Sequence, residues 1–419
     1  MIDINTTQLK IGMYVAELDR PWLETSFLFQ GFRIENNDQI EKLQRLCKTV
    51  KVDEELSASS LSFEAFKRPV TKPNVPEASS PHKETQSPKK RFEADLTDAR
   101  DIYEESSVSL NNMLNNFRIN DYISIPEVKS CVQQVTNNIL RNPNALLLIR
   151  NLRAKQRDTA THSLNVCIYA TLFGCYLGFD QDQLSRLSIA ALLHDVGEAK
   201  LPQAVLDRCS NDLTPEEIML MRMHTHYGAD LLGKIDGMPP EVTEVAYSHH
   251  ERIDGKGYPC GLKDTEISLM SRIIAIIDAY ERVTNNIDLK MQMSCSDALK
   301  SIYTMRGKLY DVNLVESFIQ CLGIYPVGSV VQLSNGDIAI VIGMKPDKHL
   351  LPTVMIVRDV TGENRHPTQV INLDKFRDHD GRPLLLINKA IDPVEVGLDL
   401  SEYIVQELGV KIHSAAKLF

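Results

Sequence analysis

The sequence predicts a multidomain α+β protein. An all-α central domain is flanked by a small N-terminal α+β unit and a small C-terminal domain that is β-barrel-like. Three observations carry this. A Pro-, Ser- and Lys-rich stretch, KRPVTKPNVPEASSPHKETQSPKKR, is too poor in apolar residues to bury a core and separates the first unit from the rest. Helical patterning then runs to about Leu322, and beyond Tyr325 the pattern changes to short strand-like runs. A chain of 419 residues has room for two or three domains. The predicted divisions are 1–70 for the N-terminal unit, 71–94 for the linker, 95–322 for the helical domain, 323–390 for the β domain and 391–419 for a tail.

In the first unit, KIGMYVAEL and SFLFQGFRI are strand-like, NNDQIEKLQRL is helical and TVKVD is a strand. In the central domain, Thr214 opens a helix: TPEE offers an N-cap, Pro at the first turn and Glu217 at the capping-box position, with Gly233 as the stop. PPEVTEVAYSHHE starts another helix at Pro239 and Pro240, and SLMSRIIAIIDAYERV, apolar almost all round, predicts a buried one. In the last domain, VGSVVQLSNGDIAIVIGM reads as two strands turning at Asn335-Gly336, and PTVMIVRDV and PTQVINL extend the strand pattern.

Composition narrows the function. Apolar content of 43% and charged content of 24% are those of a globular protein, and no apolar run reaches the roughly 20 residues that span a bilayer. The N-terminus lacks the pattern of a signal peptide, and eight scattered cysteines without C-x-x-C spacing suit buried thiols, so the expectation is a cytoplasmic protein with no membrane partner. The net charge of −10 argues against DNA binding but leaves room for a small anionic substrate at a metal site.

Six of the eleven histidines fall within the 89 residues from His162 to His250. His162 lies in RDTATHSLNV with Asp158 four residues earlier, on one helical face. His194 and Asp195 form the pair in LLHDVG, at the end of an apolar helix stopped by Gly197. His224 lies in MRMHTHYG, on the helix opened by Thr214. His249 and His250 end the helix entered at Pro239, and Asp278 sits among Ile276, Ile277 and Ala279, where a carboxylate needs a partner or a cation. Any one of these is most simply a packed or solvated side chain. Together, imidazoles and carboxylates on five helices suit Fe, Mn or Zn. Consecutive helical side chains diverge by about 100°, so the adjacent His249 and His250 are expected to serve one ion each, about 3.5–4 Å apart, with Asp195 bridging.

With these residues assembled, the chain resembles the HD-GYP family of bacterial phosphodiesterases, a branch of the HD metal-dependent phosphohydrolases. THSLNV, ALLHDVGEAKLP, LTPEEIMLMRMHTHYG, HHERIDGKGYPCGL and SRIIAIIDAY carry the resemblance, over about residues 140–320. The N-terminal segment is similar to the uncharacterised domain that often precedes this one. The resemblance implies an HD-type helical catalytic domain that hydrolyses cyclic di-GMP, or in some members cyclic GMP-AMP, to the linear dinucleotide or to mononucleotides. It implies His162, His194, Asp195, His224, His249, His250 and Asp278 as ligands of two divalent ions, Fe or Mn foremost, with His194 and Asp195 at the catalytic centre. Members with glutamate four positions before the first histidine resemble three-metal enzymes. Asp158 stands there, shorter by one methylene, so a third ion at Asp158 is the alternative to a capping role or a pairing with Lys155 or Arg157.

Two departures bear on activity. The lysine of the family's HD-x-G-K motif is Glu198, and the arginine that follows the Asp278 helix is Ile287. Lys200, Arg252, Lys256 and Arg272 are the candidates to replace the lost positive charge at the substrate. In DGKGYP, Asp254 and two glycines permit a sharp bend, Pro259 stiffens it, and Tyr258 either presents its ring to the substrate or packs the loop. The resemblance adds the turn as a contact for GGDEF-domain partners. The expected chemistry is attack by a metal-bridged hydroxide on the phosphodiester. The alternatives are a catalytically weak module that binds the dinucleotide or a GGDEF partner, and a general HD nucleotidase. The end domains suit sensing, docking or dimerisation, and a homodimer is compatible with them.

Overall fold

The computed structural model describes residues 2–20, 25, 27, 31–34, 36–53, 57, 88–152, 158–208, 212–285, 292–345, 350–379, 382–393 and 395–398. The chain divides into two compact units, Met1–Lys72 and Pro73–Phe419. The predicted linker up to residue 87, the tail from 399, Lys155, Arg157 and Ile287 all lie outside the described residues.

The first unit is an antiparallel sheet with one helix. Its strands β1 (Ile2–Asn5), β2 (Tyr14–Leu18), β3 (Phe32–Arg33) and β4 (Thr49–Asp53) are ordered β1-β4-β2-β3, and α1 spans Asn37–Leu46. Alternation explains the central strand: Val50 and Val52 point into a core with Val15, Phe32, Ile34 and Leu43, while Thr49 and Lys51 face out. Asn36 caps α1 by accepting from the Gln39 amide at 3.0 Å.

The second unit is helical from Pro88 onward. The first helix, α2 (Pro88–Asn120), therefore begins ahead of the boundary at 95 drawn from composition. Proline suits a helix start, and the Lys-rich run after it belongs to the helix. Then follow α3 (Ile125–Arg141), α4 (Pro143–Leu152), α5 (Thr159–Tyr176), α6 (Gln181–Leu193), a 3-10 turn (Val196–Lys200), α7 (Gln203–Leu206), α8 (Pro215–Arg222), α9 (His224–Leu232), α10 (Pro240–Ser248), α11 (Leu269–Thr284), α12 (Cys295–Met305) and α13 (Val312–Leu322). Thr214 and Glu217 form the predicted capping box, and Gly233 ends α9. The predicted single helix is broken at Met223, so His224 starts a new segment instead of lying mid-helix.

α5 and α11 form the spine. An edge-to-face cluster of Tyr169, Phe173, Tyr280 and Phe318 holds them to α13. Arg150 from α4 is buried over the Tyr169 ring, 5.1 Å from its centroid. No described helix is long and apolar enough to cross a membrane, and the cysteines among the described residues are free thiols.

The C-terminal region is a sheet, as its strand pattern predicts. Strands β5 (Val330–Leu333), β6 (Ile338–Gly343), β7 (Thr353–Arg358), β8 (Asn364–Asn372) and β9 (Ile387–Ile391) form one antiparallel sheet ordered β8-β7-β6-β5-β9. Among the described residues no ladder joins β8 to β9, so the hydrogen bonding runs edge to edge without closing. Hairpin alternation cannot reveal closure, because closure depends on the pairing of the first and last strands. The predicted turn at Asn335-Gly336 joins β5 to β6, with Gly336 at φ +92°. Helix α4 ties this sheet to the helical domain: Asn144 Oδ1 accepts from the Met344 amide at 3.1 Å, and Asn151 Nδ2 donates to the Val327 carbonyl at 2.5 Å.

Candidate metal centre

Three of the site histidines stand where helices end. A helix leaves its last carbonyls without intrahelical partners, and an imidazole there can donate to one of them. His194, the C-cap of α6, donates from Nδ1 to the Ala191 carbonyl at 2.8 Å. His224, at the break after α8, donates to the Met221 carbonyl at 2.6 Å, and His249, the C-cap of α10, to the Val245 carbonyl at 3.0 Å. His162, in the first turn of α5, donates instead to the Glu281 carboxylate at 2.5 Å. A carbonyl or carboxylate only accepts, so Nδ1 carries the proton in all four rings. That leaves each Nε2 facing the centre, as a lone pair wherever the ring carries no second proton.

Those nitrogens converge. His162 Nε2 lies 3.3 Å from His194 Nε2, 3.4 Å from Asp195 Oδ2 and 3.0 Å from Asp278 Oδ1. His224 Nε2 lies 3.4 Å from His249 Nε2, and these two are 3.4 and 3.2 Å from Asp195 Oδ1. Two groups of donor atoms result, each within 4.8 Å: His162, His194, Asp195 and Asp278, and Asp195, His224, His249 and His250. Asp195 belongs to both, one carboxylate oxygen facing each.

The donor set fits divalent metal ions. The ring nitrogens stand 3.3–3.4 Å apart, the spacing of donors that share a cation, since bonds of about 2.1 Å to it place neighbouring donors about 3.0–3.4 Å apart. Asp195 Oδ1 is fully buried and accepts no hydrogen bond, a cost that a cation between it and the imidazoles removes. Burial draws His224 down to about 4 and His250 well below the usual imidazole value, so both rings are neutral at pH 7, the state in which an imidazole can take a metal. Burial opposes ionisation of Asp195 and Asp278, but His194 and Arg282 beside the first, and Arg282 and His162 beside the second, hold both well below the usual carboxylate range. Burial also works against charge on His194, yet Asp195 outweighs it and lifts the ring to about 9. The clustered carboxylates thus draw in positive charge, which bound cations would supply in place of the proton.

The adjacent histidines correct an expectation. They were expected to diverge by a helical step and serve different ions. The helix ends at Ser248, so both sit on the turn that follows, with ring centroids 4.1 Å apart and in the same donor group. Separation onto two ions falls instead to the two oxygens of Asp195.

Asp158 is the N-cap of α5 and stands outside both groups. Its oxygens accept from the Thr161 amide at 2.8 Å and the Thr161 hydroxyl at 3.0 Å. Of the residues proposed to meet substrate, Tyr258 is at the centre: its ring stacks on His250 at 4.7 Å and 29°. The others are engaged elsewhere or stand apart. Lys200 pairs with Asp121, Arg252 with Asp254 at 2.6 Å and Arg272 with Asp311 at 2.9 Å, and Lys256 is exposed on the turn.

The turn itself is built around the ligands. Gly257 lies against the backbone of His250–Arg252, where a Cβ would come within 2.5 Å of the Arg252 nitrogen. Gly255 has φ +73°, and Asp254 accepts from the Lys256 amide at 3.0 Å. Buried Glu251 accepts the amides of Cys260, Gly261 and Leu262 at 2.6, 3.0 and 3.0 Å, fixing the far side of the loop. Gly197 of the HDVG run is packed more tightly still: a Cβ there would lie 1.9 Å from the His224 carbonyl oxygen. The 3-10 turn can therefore bring Asp195 against α9 only with glycine at 197.

Four functional side chains escaped the sequence. Glu281, buried on α11, accepts from His162, from Asn165 at 2.8 Å and from Arg150 and Asn285 at 3.2 Å each. Arg282 donates to Asp195 Oδ2 at 2.5 Å and to Asp278 Oδ1 at 2.7 Å. Arg222 lies 5.0 Å from the Tyr258 ring centroid. Glu251 is the fourth. Only the i, i+4 spacing of Asp278 and Arg282 gave a local signal; the others depend on long-range packing. Glu198, one of the two departures, is buried and accepts from the Thr159 hydroxyl at 2.9 Å. Burial and the charge on Asp195 raise it to about 7, against the pull of Arg282 and His162.

A helical domain that aims histidine and aspartate donors from five elements at two adjoining positions defines a class. Residues 134–314 of the chain match the HD domain. Residues 1–128 match a domain of unknown function, DUF3391, and residues 330–398 a KOW domain associated with the HD domain. A Pseudomonas aeruginosa protein named as a cyclic di-GMP phosphodiesterase is 28% identical over 383 residues, covering 90% of each chain. A Thermotoga maritima protein of that name is 32% identical over 178 residues, 42% of this chain and 48% of its own. A Vibrio cholerae 3'3'-cGAMP-specific phosphodiesterase is 26% identical over 174 residues, 41% of this chain and 33% of its own.

Proposed function

We propose that this chain is a metal-dependent phosphodiesterase that hydrolyses a cyclic dinucleotide, cyclic di-GMP or 3',3'-cyclic GMP-AMP, to the linear dinucleotide or mononucleotides. The observation that carries the proposal is Asp195, whose two oxygens face separate sets of imidazoles while one of them accepts no hydrogen bond. His162, His194, Asp195 and Asp278 would hold one ion and Asp195, His224, His249 and His250 the other. Fe and Mn suit this donor set. Ions so placed supply Lewis acidity and an activated water for attack on a phosphodiester. The chain's own part is to keep four imidazoles in one tautomer, to hold two carboxylates ionised in a buried site, and to present Tyr258 beside His250. Relatives named for cyclic di-GMP and for cyclic GMP-AMP support the substrate class without choosing between the two.

The test is protein reconstituted anaerobically with Fe or Mn and incubated with each cyclic dinucleotide, with products resolved by chromatography. Linear product from either is the expected result. No turnover of both overturns the proposal.

Glu198 favours a second reading, in which the domain binds the dinucleotide, or a GGDEF partner through the GYP turn, with little turnover. A buried carboxyl at the edge of the centre works against an anionic substrate once it ionises. Glu198→Lys combined with Ile287→Arg separates the two: a rise from no activity to clear activity supports this reading, and little change supports the enzyme.

A further inference from the structure

Arg282 bonds the two carboxylate oxygens that also face His162 and His194. Its Nη2 donates to Asp195 Oδ2 at 2.5 Å and its Nε to Asp278 Oδ1 at 2.7 Å. The same Asp195 Oδ2 is 3.4 Å from His162 Nε2 and 3.3 Å from His194 Nε2. A divalent ion in that group needs these lone pairs, so guanidinium and metal compete for them. Arg282 can yield: its side chain is 42% exposed, whereas those of Asp195 and Asp278 are 0% and 5% exposed. It is also within electrostatic reach of both Tyr258 and Glu198.

Of the other cations near the turn, Lys256 is exposed on the turn itself, Arg222 lies over the Tyr258 ring, and three are engaged with carboxylates. Lys200, Arg252 and Arg272 pair with Asp121, Asp254 and Asp311, carboxylates outside the donor groups. The cation expected at position 198 is a glutamate. Arg282 is thus a cation whose partners are the metal ligands themselves, and metal binding at those ligands weakens its hold on them.

We propose that Arg282 is a metal-coupled substrate-binding residue: metal loading displaces its guanidinium from Asp195 and Asp278, and the freed group turns to the substrate phosphate, supplying from α11 the positive charge that Glu198 does not. The phosphate half rests on the phosphodiesterase reading; the competition half does not. A guanidinium held by its bonds to two carboxylates until the metal arrives orders the two binding events, because a phosphate meets a free cation only after the metal site is filled.

The experiment uses the full chain stripped with chelator. Calorimetric titration with Mn2+ is compared for wild type, Arg282→Ala and Arg282→Lys, followed by KM and kcat of the Mn-loaded proteins on whichever cyclic dinucleotide wild type turns over. Arg282→Ala is expected to bind Mn2+ at least about ten-fold more tightly, because charge-assisted bonds no longer oppose it. Its KM is expected to rise roughly ten-fold with kcat changed far less. Arg282→Lys keeps the charge but loses the fork, and falls between on both readouts. Unchanged or weaker Mn2+ binding by Arg282→Ala overturns the competition. An unchanged KM in an active protein overturns the phosphate contact. A wild type that binds Mn2+ and turns over neither dinucleotide overturns the phosphodiesterase reading instead, while the titration still judges the competition.

Discussion

Glu281→Gln is the most informative single change at the centre, because Glu281 belongs to neither donor group yet sets the state of one of their members. Its carboxylate accepts four hydrogen bonds, from His162, Asn165, Arg150 and Asn285. It is fully acceptor, and burial, which would raise its pKa, is overcome by His162, Arg150 and Asn165, which hold it at about 2. Glutamine offers one oxygen and one NH2. If the NH2 faces His162, the ring must turn to its other tautomer and put a proton on Nε2, inside the donor group. If it faces Arg150 and Asn165, donors oppose donors in a buried site. Either arrangement disturbs the centre, and Arg150, 1% exposed, loses its charged partner.

Loss of a residue that orients a ligand costs about 10–100-fold in metal affinity, and breaking a buried ion pair costs about 3–5 kcal/mol of stability. The two effects are separable. Calorimetric Mn2+ titration of chelator-stripped protein reads the first, and scanning calorimetry of the same metal-free protein reads the second as a fall in Tm on the order of 10 °C. Unchanged Mn2+ affinity in a folded Glu281→Gln protein would refute the reasoning, since the His162 tautomer would then not depend on Glu281.

Three further outcomes are expected. Glu198 has a folded value of about 7 against an ordinary value of 4.5, so the folded state holds an extra proton between those limits and stability falls as pH rises from 4.5 to 7. In chelated protein, Glu198→Gln should remove that slope, leaving stability near pH 4.5 unchanged and raising it at pH 8 by about 3 kcal/mol at most; equal denaturation midpoints at pH 8 would count against it. Tyr258→Phe keeps the stack on His250 and should match wild type in Mn2+ affinity, whereas Tyr258→Ala should weaken it several-fold, a loss of about 0.5–1.5 kcal/mol; calorimetry distinguishes them, and equal affinities would show the stack to be idle. Gly197→Ala forces the 3-10 turn off the His224 carbonyl and should destabilise by about 3 kcal/mol or more, read by chemical denaturation, with a wild-type midpoint as the contrary result.

Much of this site was legible because its signals are local. HD and HH dipeptides name donor types directly, and the capping box at Thr214 fixed the start of α8 to the residue. Seven of the residues read as donors are brought together, and Asp158, read as a further ligand, is not among them. Errors arose where a local rule was carried past the end of its element. The divergence expected of His249 and His250 assumed a helix through both, and the helix stops at Ser248. The shared face expected of Asp158 and His162 assumed that both were helical, whereas Asp158 is the cap. Lys200 and Arg272 looked available because sequence does not reveal a carboxylate brought in by folding: Asp121 and Asp311 lie 79 positions before Lys200 and 39 positions after Arg272. Glu281 and Arg282 were hidden in a run judged apolar almost all round, although charged residues so close to Asp278 cannot be inert in a buried helix. Whether the C-terminal sheet curls into a barrel was not legible, because strand alternation says which residues face a core and nothing about closure.

The measurement closest to the central claim is the number and placement of bound ions. Crystals of the full chain grown anaerobically with Mn2+ and recorded at the metal's absorption edge are expected to show two anomalous peaks, about 3.5–4 Å apart, one on each side of the Asp195 carboxylate. A single peak, peaks away from Asp195, or none at saturating Mn2+ would contradict it.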